Sequence, residues 1–262
     1  TSKAGFLGRI AARLAGVPLV VHTIHGFAFH EESPRLTIAA FSALERVAAW
    51  FCDMNVTVSH FHRQWALDLG IGTPETLQAI PNGISRNTLV VKHAAAELKQ
   101  RLGLAPDEFI LVNVGRLAHE KGIEYLLQAV HALQGCSPRP FRLLIVGDGP
   151  QKEELQRLAH DLGLDRQVIF TGFSPDVADF FALADAVVLP SYREGLSISL
   201  LEAMASGIPV IGTLTGGSIE LLRHRENAFT YKAGDAEELA SRILELDSEP
   251  AVRERMARTA HA

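Results

Sequence analysis

The 262-residue chain has little of what marks several large protein classes. Its two cysteines, Cys52 and Cys136, sit in unrelated contexts, one ending an apolar helical run and one in a Gly/Ser/Pro loop. Neither a disulfide framework nor a zinc site follows, and a reducing cytoplasm is the expected compartment. No apolar run approaches the ~18 residues of a membrane-spanning helix. No signal peptide is visible, although the chain opens at Thr1 without a methionine. A basic surplus is missing too: the net charge of -5 speaks against a nucleic-acid binder. The nicotinamide fingerprint G-x-G-x-x-G is absent, because Lys152 stands where Gly147-Asp148-Gly149-Pro150 would need its third glycine. Repeats and low-complexity segments are absent as well.

Apolar residues make up 47% of the chain, enough for a proper core, and the length suits one large domain or two. Charge is uneven: residues 1–92 hold 8 Lys/Arg and 6 Asp/Glu, a net of +2, and the remainder carries 17 and 24, a net of -7. The basic part is mild and allows no more than a peripheral graze against an anionic membrane. Strand and helix signals alternate. Helical spacing covers residues 4–14, 37–52 and 60–69, with short β-branched runs at 19–23, 56–58 and 77–80. A second series places strands at 109–114, 141–146, 168–171, 186–189, 210–212 and 228–231. Helices are expected between them and at 249–260. Short all-apolar strands separated by helices of ten or so residues predict an α/β fold with doubly wound parallel sheets. The expected division is 1–92, part of one Rossmann-like domain, and 93–262, a full one.

In such sheets ligands bind beyond the carboxyl ends of the strands. Gly115-Arg116 and Lys121-Gly122 follow the first strand of the second series, and two cations at that spacing can converge on one polyanion. Alone, they can also be read as surface charges on a loop. Phe173, in the loop Gly172-Phe173-Ser174-Pro175, can lie beside a nucleobase, or the loop is a plain turn before a capped helix. Glu194 and Glu202 flank Gly195-Leu196-Ser197, where a helix start offers N–H groups to a phosphate. Ser199, Glu202 and Ser206 share one helix face, and Ile198, Leu201 and Ala205 share another that can pack on the sheet. A carboxylate on the polar face suits vicinal hydroxyls such as those of a ribose. Paired glycines, Gly216-Gly217, precede the next helix. His22, His25, His30, His60 and His62 lack a convincing carboxylate or cysteine partner, so no metal site is expected.

Together these pieces resemble the family 4 glycosyltransferases, retaining enzymes with the two-Rossmann-domain (GT-B) fold. The resemblance runs through Ser2-Lys3-Ala4-Gly5, Thr23-Ile24-His25-Gly26, Pro81-Asn82-Gly83-Ile84, Gly115-Arg116-Leu117, Glu120-Lys121-Gly122, Gly147-Asp148-Gly149-Pro150, Pro190-Ser191 with Glu194-Gly195, Leu201-Glu202-Ala203-Met204-Ala205-Ser206-Gly207-Ile208-Pro209-Val210 and Gly216-Gly217. It implies that Arg116 and Lys121 hold a donor diphosphate, Glu194 contacts the transferred sugar, Glu202 holds the ribose hydroxyls, and His25 faces the sugar or acceptor. It implies transfer from a UDP- or GDP-sugar to a saccharide or lipid-linked acceptor in envelope or exopolysaccharide synthesis, without cofactor or metal. No D-x-D, the metal signature of the other large glycosyltransferase fold, is present. The rival readings are a sugar-nucleotide epimerase, a glycogen-type synthase and a nucleotide-sugar-binding module without turnover. The family's opening strand, Gly-rich loop and following β/α units, and its closing helix, have no counterpart in these residues. The expectation is therefore a chain that binds donor but turns over poorly, with weaker hydrogen-exchange protection before about residue 92 than after about 107.

Overall fold

The computed structural model describes residues 2–31, 33–85, 87 and 89–260. Thr1 and Ala262, the two ends of the expected domains, lie outside the described residues, as does the side chain of Ser2. By contacts the chain divides into two units. The first comprises Thr1–Asn82 with Arg193–Ser197 and Gly216–Leu221; the second comprises Gly83–Tyr192, Ile198–Thr215 and Leu222–Ala262.

In the first unit α1 (Ser2–Leu14), β1 (Val21–Ile24), α2 (Arg35–Ala49), β2 (Met54–Thr57), α3 (His60–Asp68) and β3 (Leu77–Ala79) build a parallel sheet of order β1-β2-β3. The register pairs Val21 with Met54 and Asn55 with Leu77. Ser59 caps α3 as its sequence position predicts: its Oγ accepts from the N–H of His62. The same hydroxyl lies 2.8 Å from Nδ1 of the His62 ring, whose pKa burial lowers to about 4. His62 is therefore a neutral, buried structural histidine. An aromatic cluster fills one side of this sheet, with Trp65 5.4 Å from Phe27 and 5.1 Å from Phe29 between ring centres.

Between α1, α2 and β2 lies a polar interior. Arg9 is only 2% exposed and bonds the 9%-exposed Glu45 at 2.6 Å. It also donates to the Gly5 carbonyl and to Oδ1 of Asn55, which accepts from the Cys52 thiol as well. Burial raises the Cys52 pKa, so the thiol stays protonated. Burial, with Arg9 next, lowers the pKa of His22 to about 4. The His22 ring packs on Gly5, where a Cβ would sit 2.4 Å from its Cε1.

The second unit carries α4 (Ala95–Leu102), β4 (Phe109–Val114), a 3-10 turn (His119–Lys121), α5 (Ile123–Ala132), β5 (Phe141–Val146), α6 (Lys152–Asp161), β6 (Val168–Gly172), α7 (Val177–Phe181), β7 (Ala186–Leu189), α8 (Ile198–Ala205) and β8 (Val210–Thr213). It closes with β9 (Ala228–Tyr231), α10 (Ala236–Ser248) and α11 (Pro250–Ala260); the short α9 (Ser218–Leu221) packs with the first unit. The six-stranded parallel sheet has the order β6-β5-β4-β7-β8-β9. All residues of β4, β7, β8 and β9 are buried, as expected of strands covered on both faces. Leu111, Leu126, Ile145, Val188, Phe229 and Leu239 are among the core residues, each contributing about 1.5–3 kcal/mol by burial.

Breaking the buried ion pair should be costly, because it strands a charge in the interior. Arg9→Ala is expected to destabilise the fold by about 3–5 kcal/mol in chemical denaturation. Arg9→Met combined with Glu45→Leu should recover most of that loss. Equal stability of Arg9→Ala and the parent would show that the pair is solvated in solution.

Candidate functional site

The strand order reverses between β4 and β7: β5 and β6 extend the sheet to one side of β4, β8 and β9 to the far side of β7. In doubly wound sheets this switch point opens a crevice at the strands' carboxyl ends. The segments leaving those ends in the second unit are knit together by backbone. The N–H of Leu117 donates to the Asp148 carbonyl at 3.0 Å, and the Gln151 N–H returns to the Leu117 carbonyl at 3.0 Å. The Tyr192 N–H donates to the Glu120 carbonyl at 2.9 Å. Glycines make these approaches sterically feasible. A Cβ on Gly147 would lie 1.9 Å from the Gly115 carbonyl oxygen, and one on Gly122 would lie 2.3 Å from that of Pro190. Gly122 also has a φ of 60°, which disfavours any other residue. Below the rim, the Asn113 side chain donates to the Val188 carbonyl at 2.8 Å and ties β4 to β7. Thr213 Oγ1 donates to the Ser191 carbonyl at 2.5 Å. Sequence reading missed Asn113 and Thr213, since a polar residue inside an apolar strand carries no spacing signal.

Arg116 leaves β4 on this rim, exposed and with no hydrogen bond or ion pair among the described residues. Lys121, partly exposed, ends the 3-10 turn. Phe173 follows β6 and Gly172, whose φ is 75°, and is 77% exposed: an aromatic face left to solvent on a strand-end loop. Glu202 lies on α8, half-buried. Burial raises its pKa, and its carboxylate has no hydrogen bond or ion pair among the described residues. Its helix-face partners Ser199 and Ser206 share its intermediate exposure. The apolar face differs from expectation. Leu200 and Ala203 are the buried residues of α8, whereas Ile198 is exposed and Leu201 and Ala205 are intermediate. The tightest packing of the helix falls on Leu200 and Ala203, which lie off the stripe chosen by periodicity.

The Glu194 segment behaves differently from its place in the sequence. Arg193–Ser197 packs with the first unit. Gly195 meets the strand-end residue His25, whose carbonyl oxygen would lie 1.8 Å from a Cβ there. A Cβ on Gly216 would lie 1.9 Å from the Glu194 carbonyl oxygen, and the Gly217 N–H donates to the Gly195 carbonyl at 2.7 Å. Asn82 donates to the carbonyl of the buried Leu196 at 2.9 Å, and Glu220 accepts from the Phe61 N–H at 2.5 Å. The first unit thus brings His25, Glu194, Gly195, Leu196 and Ser197 into one neighbourhood, held by Gly216 and Gly217. His25 itself is exposed. By contacts Arg116, Lys121 and Glu202 belong to the second unit, while Glu194 sits on a segment that packs with the first.

A Rossmann-like unit with a switch-point rim of glycines and cations, and a second parallel β/α unit, define a GT-B glycosyltransferase fold. Residues 95–262 match the family described as "Glycosyl transferases group 1", and residues 1–83 match "Glycosyl transferase 4-like domain". The chain belongs to the group 1 glycosyl transferases. It is 30% identical over 247 residues to the Escherichia coli UDP-Gal:alpha-D-GlcNAc-diphosphoundecaprenol alpha-1,3-galactosyltransferase, covering 93% of this chain and 64% of that protein. It is 30% identical to the GDP-mannose-dependent alpha-(1-6)-phosphatidylinositol monomannoside mannosyltransferase of Mycolicibacterium smegmatis, covering 91% of this chain and 63% of the other. Among solved structures, Anabaena HepE in complex with UDP-glucose superposes with a TM-score of 0.84 at 28% identity, over 100% of this chain and 71% of that one. The chain thus spans just under two thirds of the length of the two curated relatives.

The backbone seams generate a direct test. Gly122→Ala should lower stability by about 1–3 kcal/mol through forced displacement of the Pro190 segment. Because Lys121 shares that turn, nucleotide-diphosphate affinity should fall in the same variant. Unchanged melting temperature and affinity would show that the turn tolerates a Cβ and does not set the position of Lys121.

Proposed function

We propose that the protein is a retaining glycosyltransferase. It moves a sugar from a UDP- or GDP-sugar to a saccharide or lipid-linked acceptor in cell-envelope or exopolysaccharide synthesis, on the cytoplasmic side and in peripheral contact with a membrane. The observation that carries this reading is the pairing of chemistries on elements flanking the switch point. Arg116 is an exposed cation and Glu202 a half-buried carboxylate, each without a side-chain hydrogen bond or ion pair among the described residues, and Lys121 follows Arg116 in the chain. A diphosphate would complement the exposed Arg116, with Lys121 nearby at the end of the turn that follows, and a ribose diol would complement Glu202. The relatives' names include both a UDP-sugar and a GDP-mannose user, so both bases stay within the proposal.

In this scheme Gly115, Arg116 and Lys121 receive the diphosphate, with the backbone N–H groups of Gly195, Leu196 and Ser197 as further anion donors. Phe173 lies against the base, Glu202 accepts from the ribose hydroxyls, Glu194 contacts the transferred sugar, and His25 faces the sugar or acceptor. The anomeric carbon–oxygen bond to the diphosphate breaks as the bond to the acceptor oxygen forms. The acceptor's proton passes to the departing phosphate, and the two cations neutralise the charge that develops there. This scheme assigns that neutralisation to side chains and calls on no metal ion or cofactor. No described helix is long and apolar enough to cross a membrane, which suits an enzyme that reaches a lipid-linked acceptor from the surface.

Thermal-shift measurement with UDP, GDP and their sugars tests the proposal. A true donor at ~100 times its Kd adds about 2.7 kcal/mol, whereas no stabilisation by any nucleotide sugar would sink it. Arg116→Ala and Lys121→Ala should weaken UDP or GDP far more than the matching nucleoside. Equal losses would reduce both to surface charges.

Glu202→Gln should separate stability from binding. Burial raises the folded-state pKa of Glu202, so the ionised form is disfavoured in the fold. That penalty is absent well below the unfolded pKa, where the group is protonated in both states, grows as pH rises from the unfolded value to the raised folded one, and is constant above it. The neutral amide removes it, so the variant should melt higher at pH 7 and equal the parent in acid. Its nucleotide affinity should nevertheless fall by about 1.5–3 kcal/mol, the worth of hydrogen bonds to a charged acceptor. Unchanged affinity by calorimetry would refute the ribose role.

A further inference from the structure

The amide at the start of α6 is buried in a way that stability does not explain. Gln151 is 4% exposed and stands at the N-cap of α6, yet its side chain makes no cap hydrogen bond. It turns instead toward the 3-10 turn, where Nε2 donates to Nδ1 of His119. Oε1 is buried and has no partner among the described residues. Turning the amide over would exchange donor for acceptor and leave one bond and one orphaned atom as before. A buried polar atom left unpaired is destabilising, and an apolar side chain of the same size would avoid that loss. Nor does His119 need the bond for its own sake, because it is exposed and water can serve its ring.

What the bond does is fix the start of the turn that ends in Lys121. The turn, His119–Lys121, follows Ala118, which offers it no side-chain cap. Its own backbone bonds run from the Lys121 N–H to the Ala118 carbonyl at 2.9 Å and from the Gly122 N–H to the His119 carbonyl at 3.1 Å. A single 3-10 turn is held weakly by such bonds, whose geometry is poor. Its far side rests on the segment leaving β7, through the Tyr192 N–H and the close packing of Gly122 on Pro190. Its near side has Gln151, whose own backbone is fixed: the N–H donates to the Leu117 carbonyl at 3.0 Å, and the carbonyl accepts from the Leu155 N–H at 2.9 Å. The amide therefore ties the start of α6 to the residue that opens the turn. An anchor in this place limits where the Lys121 backbone can go, and with it the region that the ammonium group sweeps.

We infer that Gln151 is the positioning residue for Lys121: its buried amide holds the His119 ring, and through it the turn that presents Lys121 to the donor diphosphate. This role rests on the proposed donor site, in which Lys121 receives that diphosphate. It also gives the half-satisfied amide a reason to be there, since groups kept for geometry at a functional site are often kept at some loss of stability. A methionine in the same place would pack without an orphaned atom and position nothing.

The test compares Gln151→Met, His119→Leu and His119→Asn with the parent, in the full chain. Methionine fills the place of Gln151 without a hydrogen bond. Asparagine keeps an acceptor where Nδ1 of His119 lies, and leucine does not. In calorimetry with UDP, GDP, uridine and guanosine, Gln151→Met and His119→Leu should each weaken the diphosphate that the parent binds by about tenfold, part of the worth of a charged hydrogen bond, and leave its nucleoside nearly unchanged. His119→Asn should restore affinity close to the parent's. In a Lys121→Ala background Gln151→Met should bring no further loss, as expected of two residues that act through one contact. The melting temperature of Gln151→Met should equal or exceed the parent's, which a merely structural role would not allow. Without any nucleotide, hydrogen exchange at the Lys121 and Gly122 N–H groups should speed up about tenfold in Gln151→Met. Unchanged exchange, a melting temperature well below the parent's, or equal losses for diphosphate and nucleoside would overturn the role of Gln151. So would a loss in the Lys121→Ala background as large as in the parent. If neither diphosphate binds the parent while exchange responds as expected, the proposed function fails and the hold of Gln151 on the turn stands.

Discussion

The second unit's strand-end rim depends on backbone touching backbone. Three segments that leave β4, β5 and β7 approach so closely that Gly147 and Gly122 have no room for a Cβ against the carbonyls of Gly115 and Pro190. Hydrogen bonds from Leu117 to Asp148 and from Tyr192 to Glu120 then lock the segments in register. A rim made in this way is stiff although it consists of loops, because no side-chain rotamer can relax the contact. Long, flexible cations gain most from such mounting. Arg116 and Lys121 carry large rotamer entropy, and a fixed backbone confines their reach to one region before any ligand arrives.

Much of this was legible in the sequence, for physical reasons that differ by element. The strands of the second unit were clear because full burial on both faces leaves runs such as Phe109–Val114 with hardly a polar residue. The α3 start was clear because Ser59 is a capping residue placed directly after a strand. The motif glycines were visible as letters, but their purpose was not: Gly147 reads as half of a failed dinucleotide fingerprint, while the structure gives it the task of clearing the Gly115 carbonyl. Periodicity misjudged α8, where Leu200 and Ala203 are buried in place of Ile198, Leu201 and Ala205. An eight-residue helix offers too few turns for a stripe to be placed to within one residue. Asn113 and Thr213 were missed altogether, since their partners are main-chain carbonyls far along the chain.

The Glu194–Glu202 pair shows the limit of linear reading most directly. As a spaced pair of carboxylates it reads as one constellation on one loop and helix. In the structure the chain passes between contact units inside that pair: Arg193–Ser197 packs with His25, Val58 and the Gly216-Gly217 turn, and Ile198 begins the portion that packs with the second sheet. The two carboxylates accordingly have different surroundings. Glu194 sits in a segment pinned by glycine contacts and the Asn82 side chain, whereas Glu202 sits on a helix, half-buried and unpartnered among the described residues. Spacing in a motif therefore does not fix the surroundings of its members, and the structure gives these two carboxylates different ones.

The buried polar cluster of the first unit explains how α2, which carries apolar residues on both of its faces, keeps one orientation. A helix whose inner face were wholly apolar could roll, since its outer stripe would be an equally good core face and the two orientations would compete. Glu45 removes that ambiguity. Turned outward it would leave Arg9 buried without a partner, a loss of several kcal/mol; turned inward it completes the pair at 2.6 Å. The ion pair need add little to net stability to do this, because what it supplies is a difference between two packings. Orientation set by one buried charge frees the remaining positions from the duty of specifying the core, and the outward stripe of Leu36, Leu44, Val47 and Trp50 is what those positions hold.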